Sequence, residues 1–425
     1  MKVKIYHSGM YGAPIKNGVP GCIVTLLNAV CVTGFAPFTM TSLTVTDGVA
    51  RAEIVGALFE DNLATIRIAG SATGTLNGDF KLSKAEGSVI EWPTDAGNGS
   101  YPVAGVTGRI APLGWTAPFT GTNEIVLRSP NPLSSGYFLH IRDQWARYFD
   151  IRAFKNMRSL GVGSGVMPNV SQSPCFGFKS QEATTTERSW VIVGDDRGFY
   201  FTTSSWTPRT RLGTGFTHYF GDYDDENGDR EDNFFINGDC SDESAYGTTF
   251  LSSNSISSVG AYSIGGTFTL NDLFHSSYAQ SRGRIYLGAS LNKTQRSMTA
   301  LMHAFQIAYE GSTYGYSGLA TTTTSAQSDF SSRGYKRYPL SGTNSVRLVD
   351  GIICDNFNVR GKLPGLYYFD CNNLTQMGTM LFIEGRGFQS GQRFFAVPGG
   401  YLTGTDGDRL SYQFAIEVET FRREL

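Results

Sequence analysis

The chain has 425 residues, a formal net charge of −2 at neutral pH and only 17% charged residues. Its length allows about two to four domains. The near balance of charge excludes the basic excess that is typical of proteins that grip a nucleic-acid backbone. Glycine (51 residues) and aromatic residues (13%) are abundant, which favours sheets joined by tight turns. The low charged fraction predicts that partner subunits cover part of the surface.

Residues 1–46 are predicted to form the N-terminal strands. Val3 and Ile5 alternate with more polar neighbours, which indicates a first strand. The apolar run from Cys22 to Val32 fits either a buried strand pair or a short helix, because periodicity alone does not separate them. The first residues lack the apolar core of a secretory signal, and Cys22 to Phe38 is too interrupted by polar residues to span a membrane. We therefore expect folding in a cytosol and no membrane insertion.

Residues 47–115 show the most regular pattern in the chain. Short β-type runs such as TIRIAG and VIEWP alternate with turn residues at close spacing. Asn77-Gly78 lies between two of these runs, and such a pair predicts a hairpin that turns there. We expect this module to form a small, partly open β-barrel or sandwich.

Residues 116–425 are predicted to form a larger β-rich region, with a further division into 116–282 and 283–425 left open. Prolines at 112, 118, 130 and 132 indicate a proline-rich connection at the start of this region, which we interpret as a domain boundary. Trp190 to Val193 and Phe199 to Phe201 flank a glycine-bounded turn, which predicts a central hairpin.

The end of the chain is predicted to be a strand, preceded by one candidate helix. Thr294 to Glu310 has apolar residues at approximately helical spacing. Leu410 to Val418 alternates strictly between apolar and polar residues, which indicates a half-buried strand. As a whole, the chain is predicted to be mainly β, with several small β-sandwich or barrel-like domains and few helices.

The acidic run from Asp222 to Asp232 is the densest cluster of charge. Three interpretations remain open for residues 222–232. The run is a solvated loop between two strands, a loop that supplies oxygen ligands to a metal ion, or a channel lining that repels DNA as it passes. The spacing of an EF-hand is absent, because Tyr223 and Phe234 would occupy the first and last ligand positions.

Other residues give no pattern of a reaction centre. Gly161 to Gly165 lacks the further residues of a phosphate-binding loop and is interpreted as a flexible loop. The six cysteines form no Cys-x-x-Cys pair, and we interpret them as reduced and mostly buried thiols. The five histidines are widely spaced and are interpreted as ordinary surface or core residues. We therefore predict no catalytic, cofactor-binding or metal-binding residues, no cofactor and no enzymatic activity.

Aromatic residues have two open interpretations. They are core or interface anchors, or they stack on sugar rings. The residues considered are Trp145, Trp190, Trp206, Tyr314 and Tyr316. Paired carboxylates for sugar hydrolysis are not specifically marked among the 37 acidic residues.

Several segments resemble β-rich structural proteins of the tails of tailed bacteriophages and prophages. They are HSGMYGAP near the N-terminus, the module that ends in APLGW, the FGD…NGD stretch at 220–239, and VRGKLPGLYYFD at 359–370. The resemblance implies a virion component without enzymatic activity, and it transfers no site residues.

From the resemblance we expect a multi-copy structural component of a phage tail, of the nozzle, tube, baseplate or collar type. Such a protein assembles in the bacterial host cytoplasm as a homo-oligomer with other tail proteins, and DNA passes through a shared channel without specific binding. The alternative is a tail-tip or fibre protein that binds host surface glycans. A polysaccharide hydrolase ranks last, because no internal repeat typical of such enzymes occurs.

Overall fold

The computed structural model confirms a mainly β protein. It describes residues 3–57, 59, 64–167, 174–209, 216–225, 233–239, 283–287, 300–303, 349–355, 358–374, 381–385, 390–402, 409–419 and 421–422. Within these ranges there are 27 strands, one short α-helix, one π-helical turn and one 3-10 turn.

The helical elements all lie in the first fifth of the chain. They are helix α1 (Cys22–Leu27), the π-helical turn (Asn28–Thr33) and the 3-10 turn (Gly74–Leu76). The strands follow in chain order. They are β1 (Lys4–His7), β2 (Phe35–Thr46), β3 (Val49–Val55), β4 (Thr65–Ala69), β5 (Gly78–Lys81), β6 (Lys84–Glu86), β7 (Val89–Pro93), β8 (Gly99–Ser100), β9 (Thr107–Ile110), β10 (Thr116–Gly121), β11 (Glu124–Arg128), β12 (Phe138–Arg142), β13 (Tyr148–Ser159), β14 (Val162–Met167), β15 (Cys175–Phe178), β16 (Arg188–Gly194), β17 (Gly198–Pro208), β18 (Phe216–Asp222), β19 (Asp224–Asp225), β20 (Phe234–Asp239), β21 (Gly283–Leu287), β22 (Ala300–His303), β23 (Val349–Asp355), β24 (Asn358–Leu374), β25 (Leu381–Glu384), β26 (Arg393–Leu402) and β27 (Arg409–Glu417).

These strands form three sheets with antiparallel pairing throughout the described ladders. The N-terminal sheet has the order β5-β4-β9-β2-β3-β7-β6, with β8 paired to β2. The large sheet has the order β1-β16-β17-β18-β20-β15-β13-β12-β11-β10, with β14 on β13 and β21 on β20. The C-terminal sheet has the order β22-β23-β24-β27-β26-β25, with β19 on β24.

Sheet membership can be compared with the predicted domain limits. The limit at 115 lies between β9 of the N-terminal sheet and β10 of the large sheet. The limit at 46 lies inside a hairpin, because β2 pairs with β3, and the limit at 282 precedes β21, which still belongs to the large sheet. The domain limits themselves stay predictions.

The large sheet lies between two hydrophobic cores. Side chains on one face, such as Ile192 and Phe220, belong to a core that includes the N-terminal sheet and helix α1. Their neighbours Val193 and Tyr219 belong to a second core, shared with residues of the C-terminal sheet such as Ile416. Because successive side chains of a strand point to opposite faces, central strands of this sheet are apolar at nearly every position.

The apolar run from Cys22 to Val32 is helical. It begins with α1 and continues into the π-helical turn, and Ile23, Leu26, Leu27 and Val30 are fully buried. The sequence pattern fits both a strand pair and a helix, and the structure shows the helix. Its apolar residues pack into the core that also contains the N-terminal sheet.

The hairpin predicted around Asn77-Gly78 exists, but it does not turn there. Strands β4 and β5 pair from Ile68 opposite Gly78, so residues 70–77 form a longer loop. The side chain of Asn77 closes this loop, since its Oδ1 accepts from the Ser71 N–H at 2.9 Å and its Nδ2 donates to Ser71 O at 2.8 Å. The Asn77 amide thus binds the backbone of Ser71 as a paired strand residue would, and this stabilises a longer loop in place of a two-residue turn.

Asp47-Gly48 forms a two-residue turn between β2 and β3. Thr46 pairs with Val49, and both turn residues have positive φ, 51° for Asp47 and 77° for Gly48. These values are those of a type I′ turn, which matches the right-handed twist of the strands.

The central hairpin predicted at 190–201 is confirmed. Ile192 pairs with Phe201 and Gly194 with Phe199, and both strands lie inside the large sheet. The first strand around Ile5 and the last strand are also confirmed, as β1 and β27. The half-buried character predicted for the last strand is wrong where its side chains are described, because Ala415 and Glu417 are buried as well as Ile416.

The helix predicted over Thr294 to Glu310 is wrong at the four residues that the structure describes. Ala300–His303 is strand β22, and Leu301 pairs with Ile353 of β23. A short apolar run fits both a helix and a strand, and here the long-range ladder decides between them. The rest of that prediction lies outside the described residues.

The edge of the large sheet at β10 is irregular. Its register with β11 shifts between Thr116 and Phe119, so Ala117 and Pro118 lie in a bulge. The side chains of this strand are mostly exposed.

Two glycines lie directly against an aromatic ring of the neighbouring strand. Gly108 of β9 lies opposite Phe38 of β2, and a Cβ atom on Gly108 would lie 2.2 Å from Phe38 Cζ. Gly177 of β15 lies opposite Phe149 of β13 with the same 2.2 Å approach. At both positions the ring occupies the space that a side chain would need, and both rings belong to the core shared with the N-terminal sheet.

Gly108→Ala is therefore expected to destabilise the protein by about 1–3 kcal/mol, because the added methyl group overpacks the core. The measurement is the midpoint of urea unfolding, followed by tryptophan fluorescence. Gly74→Ala is the matched control, since a Cβ there meets no atom within 4 Å, and it should change stability by less than about 0.5 kcal/mol. Equal midpoints for the two variants would contradict the packing argument.

Candidate functional site

The first part of the acidic run is buried where the large and C-terminal sheets meet. Asp222 ends β18 of the large sheet, and Asp224 lies in β19, which pairs with β24 of the C-terminal sheet. Asp222 and Tyr223 are fully buried. The solvated-loop interpretation is therefore wrong for these two residues, because the chain crosses between two packed sheets there. Residues 226–232 lie outside the described part.

The two ends of this loop are held together. The Tyr223 N–H donates to Asn233 O at 2.8 Å, and Asn233 Nδ2 donates to Tyr223 O at 2.8 Å. Strands β18 and β20 continue this pairing, with Asp222 opposite Phe234. The run does connect two neighbouring strands, as predicted.

Arg422 reaches into this junction from the C-terminal end. Its Nε donates to Asp195 Oδ2 at 2.7 Å, and its Nη1 donates to Asp224 Oδ1 at 3.2 Å. Its Nη2 donates to Tyr219 Oη at 3.0 Å. One guanidinium thus contacts the β16–β17 turn, β18 and β19, and its side chain is only 10% exposed. The rigid fork of an arginine suits this multiple pairing better than a lysine ammonium.

A second arginine completes the cluster. Arg197 Nε donates to Asp222 Oδ2 at 3.2 Å. Asp222 also accepts a hydrogen bond from the Ser135 hydroxyl at 2.5 Å, and the Ser135 N–H lies 3.2 Å from its Oδ2. The Arg422 cluster, as we call it, consists of Asp195, Arg197, Tyr219, Asp222, Asp224 and Arg422.

The turn between β16 and β17 places Asp195 for this role. Its Oδ1 accepts from the N–H groups of Arg197 and Gly198, both at 2.8 Å, so an Asx turn fixes the carboxylate. The Trp115 indole donates from Nε1 to Asp195 O at 3.0 Å, which ties the turn to the end of the N-terminal module.

Burial sets the electrostatics of the cluster. Desolvation raises the pKa of Asp222 above its usual range, and the charge of Arg422 opposes this shift. Asp224 behaves in the same way. Burial alone would lower the pKa of Arg422, but Tyr219, Asp195 and Asp224 outweigh it and raise that pKa. Paired charges of this kind are sensitive to the loss of one partner.

The side chains of the Arg422 cluster bind one another. Every side chain in it is held by its neighbours, and the pair of Arg197 with Asp222 is largely screened from solvent. In the described ranges, no group of three or more His, Cys, Asp or Glu residues is arranged to hold a metal ion. Through Arg422, the cluster joins the C-terminal end of the described chain to the large sheet and to the C-terminal sheet.

A second buried charge cluster lies at the N-terminal segment. Lys16 and Lys179 are both fully buried, and Lys179 Nζ contacts Asp143 Oδ1. Lys16 Nζ donates to Lys179 O at 2.7 Å. Sequence reasoning missed both clusters, because each joins residues that are widely separated in the chain and no local spacing marks them.

The other residues weighed from sequence are mostly core residues. His7, His140 and His218 are buried, and His140 Nε2 lies 2.9 Å from Glu124 Oε2. Cys31 and Cys175 are buried cysteines and Cys22 is a half-buried one, and none of the three is in a disulfide. His275 and Cys240 lie outside the described residues, as do the side chains of His303, Cys354 and Cys371.

The interpretation of Gly161 to Gly165 as a flexible loop is wrong. Val162–Met167 is strand β14, and Gly163 pairs with Met157 of β13. A Cβ on Gly163 would lie 2.1 Å from Asn156 O, so close approach of two backbones explains this glycine.

The aromatic residues divide between core and surface. Trp190 is buried and donates from Nε1 to Pro14 O at 3.0 Å. Trp145 is 41% exposed and stacks on Tyr148, with ring centroids 5.6 Å apart. The side chain of Trp206 and all of Tyr314 and Tyr316 lie outside the described part of the chain.

Comparison with known proteins gives no relative. A scan against models of protein families finds no match, and a search of the curated proteins finds no similar sequence. Among the described residues, no helix has the length and hydrophobicity needed to cross a membrane. The function must therefore be inferred from the residues and geometry of the chain itself.

Removing the guanidinium of Arg422 should show how much the cluster contributes to the free energy of unfolding. Arg422→Ala is expected to lower the free energy of unfolding by about 3–5 kcal/mol at pH 7, because it removes the guanidinium that pairs with the buried Asp195 and the half-buried Asp224. Folded-state carboxyl pKa values above the unfolded values mean that folding favours the protonated acids, so the loss should shrink as the pH falls towards 5. Urea unfolding at both pH values measures this.

Arg51→Ala is the matched control for Arg422→Ala. Arg51 also lies near two carboxylates, Glu53 and Glu91, but its side chain is 48% exposed. Its loss should cost less than about 1 kcal/mol. A penalty for Arg422→Ala that equals the control, or that grows towards acidic pH, would contradict the role assigned to the cluster.

Proposed function

We propose that the protein is a multi-copy structural component of a bacteriophage virion tail, of the nozzle, tube, baseplate or collar type. In this proposal the subunit assembles in the host cytoplasm with copies of itself and with other tail proteins. DNA passes through the shared channel without specific binding. Support comes from the β-rich fold, from the segments that resemble tail proteins, and above all from one apolar surface.

The surface that carries the proposal is the N-terminal segment, residues 8–20. Tyr11, Ile15 and Val19 on this segment are 44%, 45% and 43% exposed. Exposed apolar side chains that recur along one short segment are typical of an interface. The end of the segment is joined to the loop that carries Trp145, because the Gly21 N–H donates to Asp143 O at 2.9 Å.

This segment is held rigidly although it has no regular secondary structure. Pro14 O accepts from the Trp190 indole, and Ala13 O accepts from Arg209 Nη2 at 3.0 Å. The Gly18 N–H donates to Thr184 O at 2.8 Å. An apolar surface that is already ordered loses little conformational entropy on binding, which suits repeated assembly of identical subunits.

The layered sheets support a mechanical role. Two cores and the Arg422 cluster join the large sheet to both neighbouring sheets. A subunit with this much internal pairing resists deformation between its own layers. Rigid subunits of this kind suit a component whose function depends on its shape.

The tail proposal is tested with the full-length protein. Sedimentation and negative-stain electron microscopy should find rings or other closed oligomers, or association with a second tail protein. Replacing Tyr11, Ile15 and Val19 together by serine should weaken association at least about tenfold, because the apolar contacts of the interface are lost.

Val55→Ser together with Val162→Ser is the control, since both valines are exposed on other elements, at 54% and 53%. That variant should assemble like the parent protein. An antibody against this protein should then label the tail of virions whose genome encodes it. A stable monomer that is absent from purified virions would overturn the proposal.

The second candidate function is glycan binding by a tail-tip or fibre protein, and Trp145 favours it. Its ring is partly exposed and is supported from below by Tyr148, with 27° between the ring planes. A fixed, exposed aromatic face is suited to stacking on the apolar face of a sugar ring.

If the protein binds glycans at this place, a glycan array should detect binding that Trp145→Ala removes. Tyr11→Ala serves as the control, since Tyr11 is a comparably exposed aromatic residue on the N-terminal segment. The same loss for both variants, or no binding by the parent protein, would reject Trp145 as a sugar-binding residue.

A further inference from the structure

Lys179 and Asp143 form a fully buried pair. Lys179 follows β15 and Asp143 follows β12, so both side chains start at strand ends of the large sheet. Neither side chain is exposed, and Lys179 Nζ contacts Asp143 Oδ1 directly. A lysine ammonium and a carboxylate that are both removed from water carry a large desolvation cost.

Backbone hydrogen bonds fix both partners in place. The Lys179 N–H donates to Arg147 O at 2.9 Å, and Lys179 O accepts from Lys16 Nζ at 2.7 Å. The Asp143 N–H donates to Asn123 O at 2.8 Å. The amine and the carboxyl group are therefore held in contact, and such fixed proximity strongly accelerates a reaction between two groups.

Burial favours the uncharged form of the Asp143 carboxyl group. Burial raises the pKa of Asp143 to about 6, although the charge of Lys179 opposes the shift. Lys16 brings a second buried amine next to the pair, and burial lowers its pKa to about 7. The reaction between the two groups starts from a neutral amine and a carboxylic acid, which form when one proton passes from the Lys179 ammonium to the Asp143 carboxylate.

We propose that Lys179 and Asp143 are joined by an intramolecular isopeptide bond. The neutral Nζ attacks Cγ of the carboxylic acid, and a new N–C bond forms. The bond between Cγ and Oδ1 breaks, and this oxygen leaves as water with the carboxyl proton and one proton of the amine. The products are one amide and one water molecule, so the step needs no oxidant, reductant or other co-reactant.

Two neighbouring groups assist this step. The Ile23 N–H at the start of α1 donates to Asp143 Oδ2 at 2.8 Å. This donor stabilises the negative charge that develops on Oδ2 during attack, and Oδ2 then remains as the amide oxygen. Val19 O accepts from Lys179 Nζ at 3.0 Å and orients the amine.

A second lysine–aspartate contact in the chain provides an internal comparison. Lys4 Nζ donates to Asp79 Oδ2 at 2.6 Å. Arg67 also binds Asp79, and despite partial burial the hydrogen bonds from Arg67 and Lys4 hold the Asp79 pKa below its usual range. An ionised carboxylate is a poor electrophile, so this pair should remain an ordinary ion pair.

The test is the mass of the intact, denatured full-length protein. The parent chain should be lighter than its sequence by one water molecule, after allowance for the initiator methionine. Trypsin should fail to cleave after Lys179, and fragmentation should identify a branched peptide in which residues 143–147 are joined to 159–188. The Lys4 and Asp79 peptides should be found unlinked.

Asp143→Ala and Lys179→Arg should each have the full mass that their sequences predict. Because mass is measured on denatured protein, this control holds even for a variant that folds poorly. A succinimide at a site such as Asp47-Gly48 also loses water, but hydroxylamine cleaves it and leaves an isopeptide bond intact. Full mass of the parent protein with normal cleavage after Lys179, or water loss that hydroxylamine removes, would overturn the proposal.

Discussion

The large sheet has to satisfy two hydrophobic cores at once. Along its central strands, alternate side chains enter the core shared with the N-terminal sheet and the core shared with the C-terminal sheet. Phe199 and Phe201 face one core, and Tyr200 between them faces the other. The central part of these strands is therefore apolar on both faces, and the position of each strand depends on both neighbouring layers. A shift of register by one residue would exchange the two faces and disrupt both cores.

Such a layered arrangement leaves few places where charge can enter, and the buried charges are found where layers end. Arg422 lies at the junction of the large and C-terminal sheets, and the Lys179–Asp143 pair lies where the N-terminal segment crosses the ends of β12 and β15. At both places polar groups meet several partners, since water does not replace a missing one. The N-terminal segment and Arg422 are thus held by polar contacts, while the interior of each layer is held by packing.

Local signals in the sequence predicted the β class, the hairpin around residues 194–198 and the last strand, because alternation and glycine-bounded turns act over a few residues. They failed where distant residues decide the outcome. Strand β22 forms because Leu301 meets Ile353, and Asp222 is buried because Arg197 and Ser135 contact it. No spacing in the chain reveals Arg422 as the partner of Asp195. The sequence likewise did not predict that Tyr11, Ile15 and Val19 of the N-terminal segment are exposed, because exposure depends on the fold around them.

The irregular edge at β10 has a consequence for how separate copies of the chain can meet. An open sheet edge presents unpaired backbone groups on which another strand can add. Pro118 lacks an amide hydrogen, and the bulge between Thr116 and Phe119 disturbs the straight ladder that a growing fibril needs. This edge is therefore a poor template for the edge-to-edge stacking that builds amyloid-like aggregates.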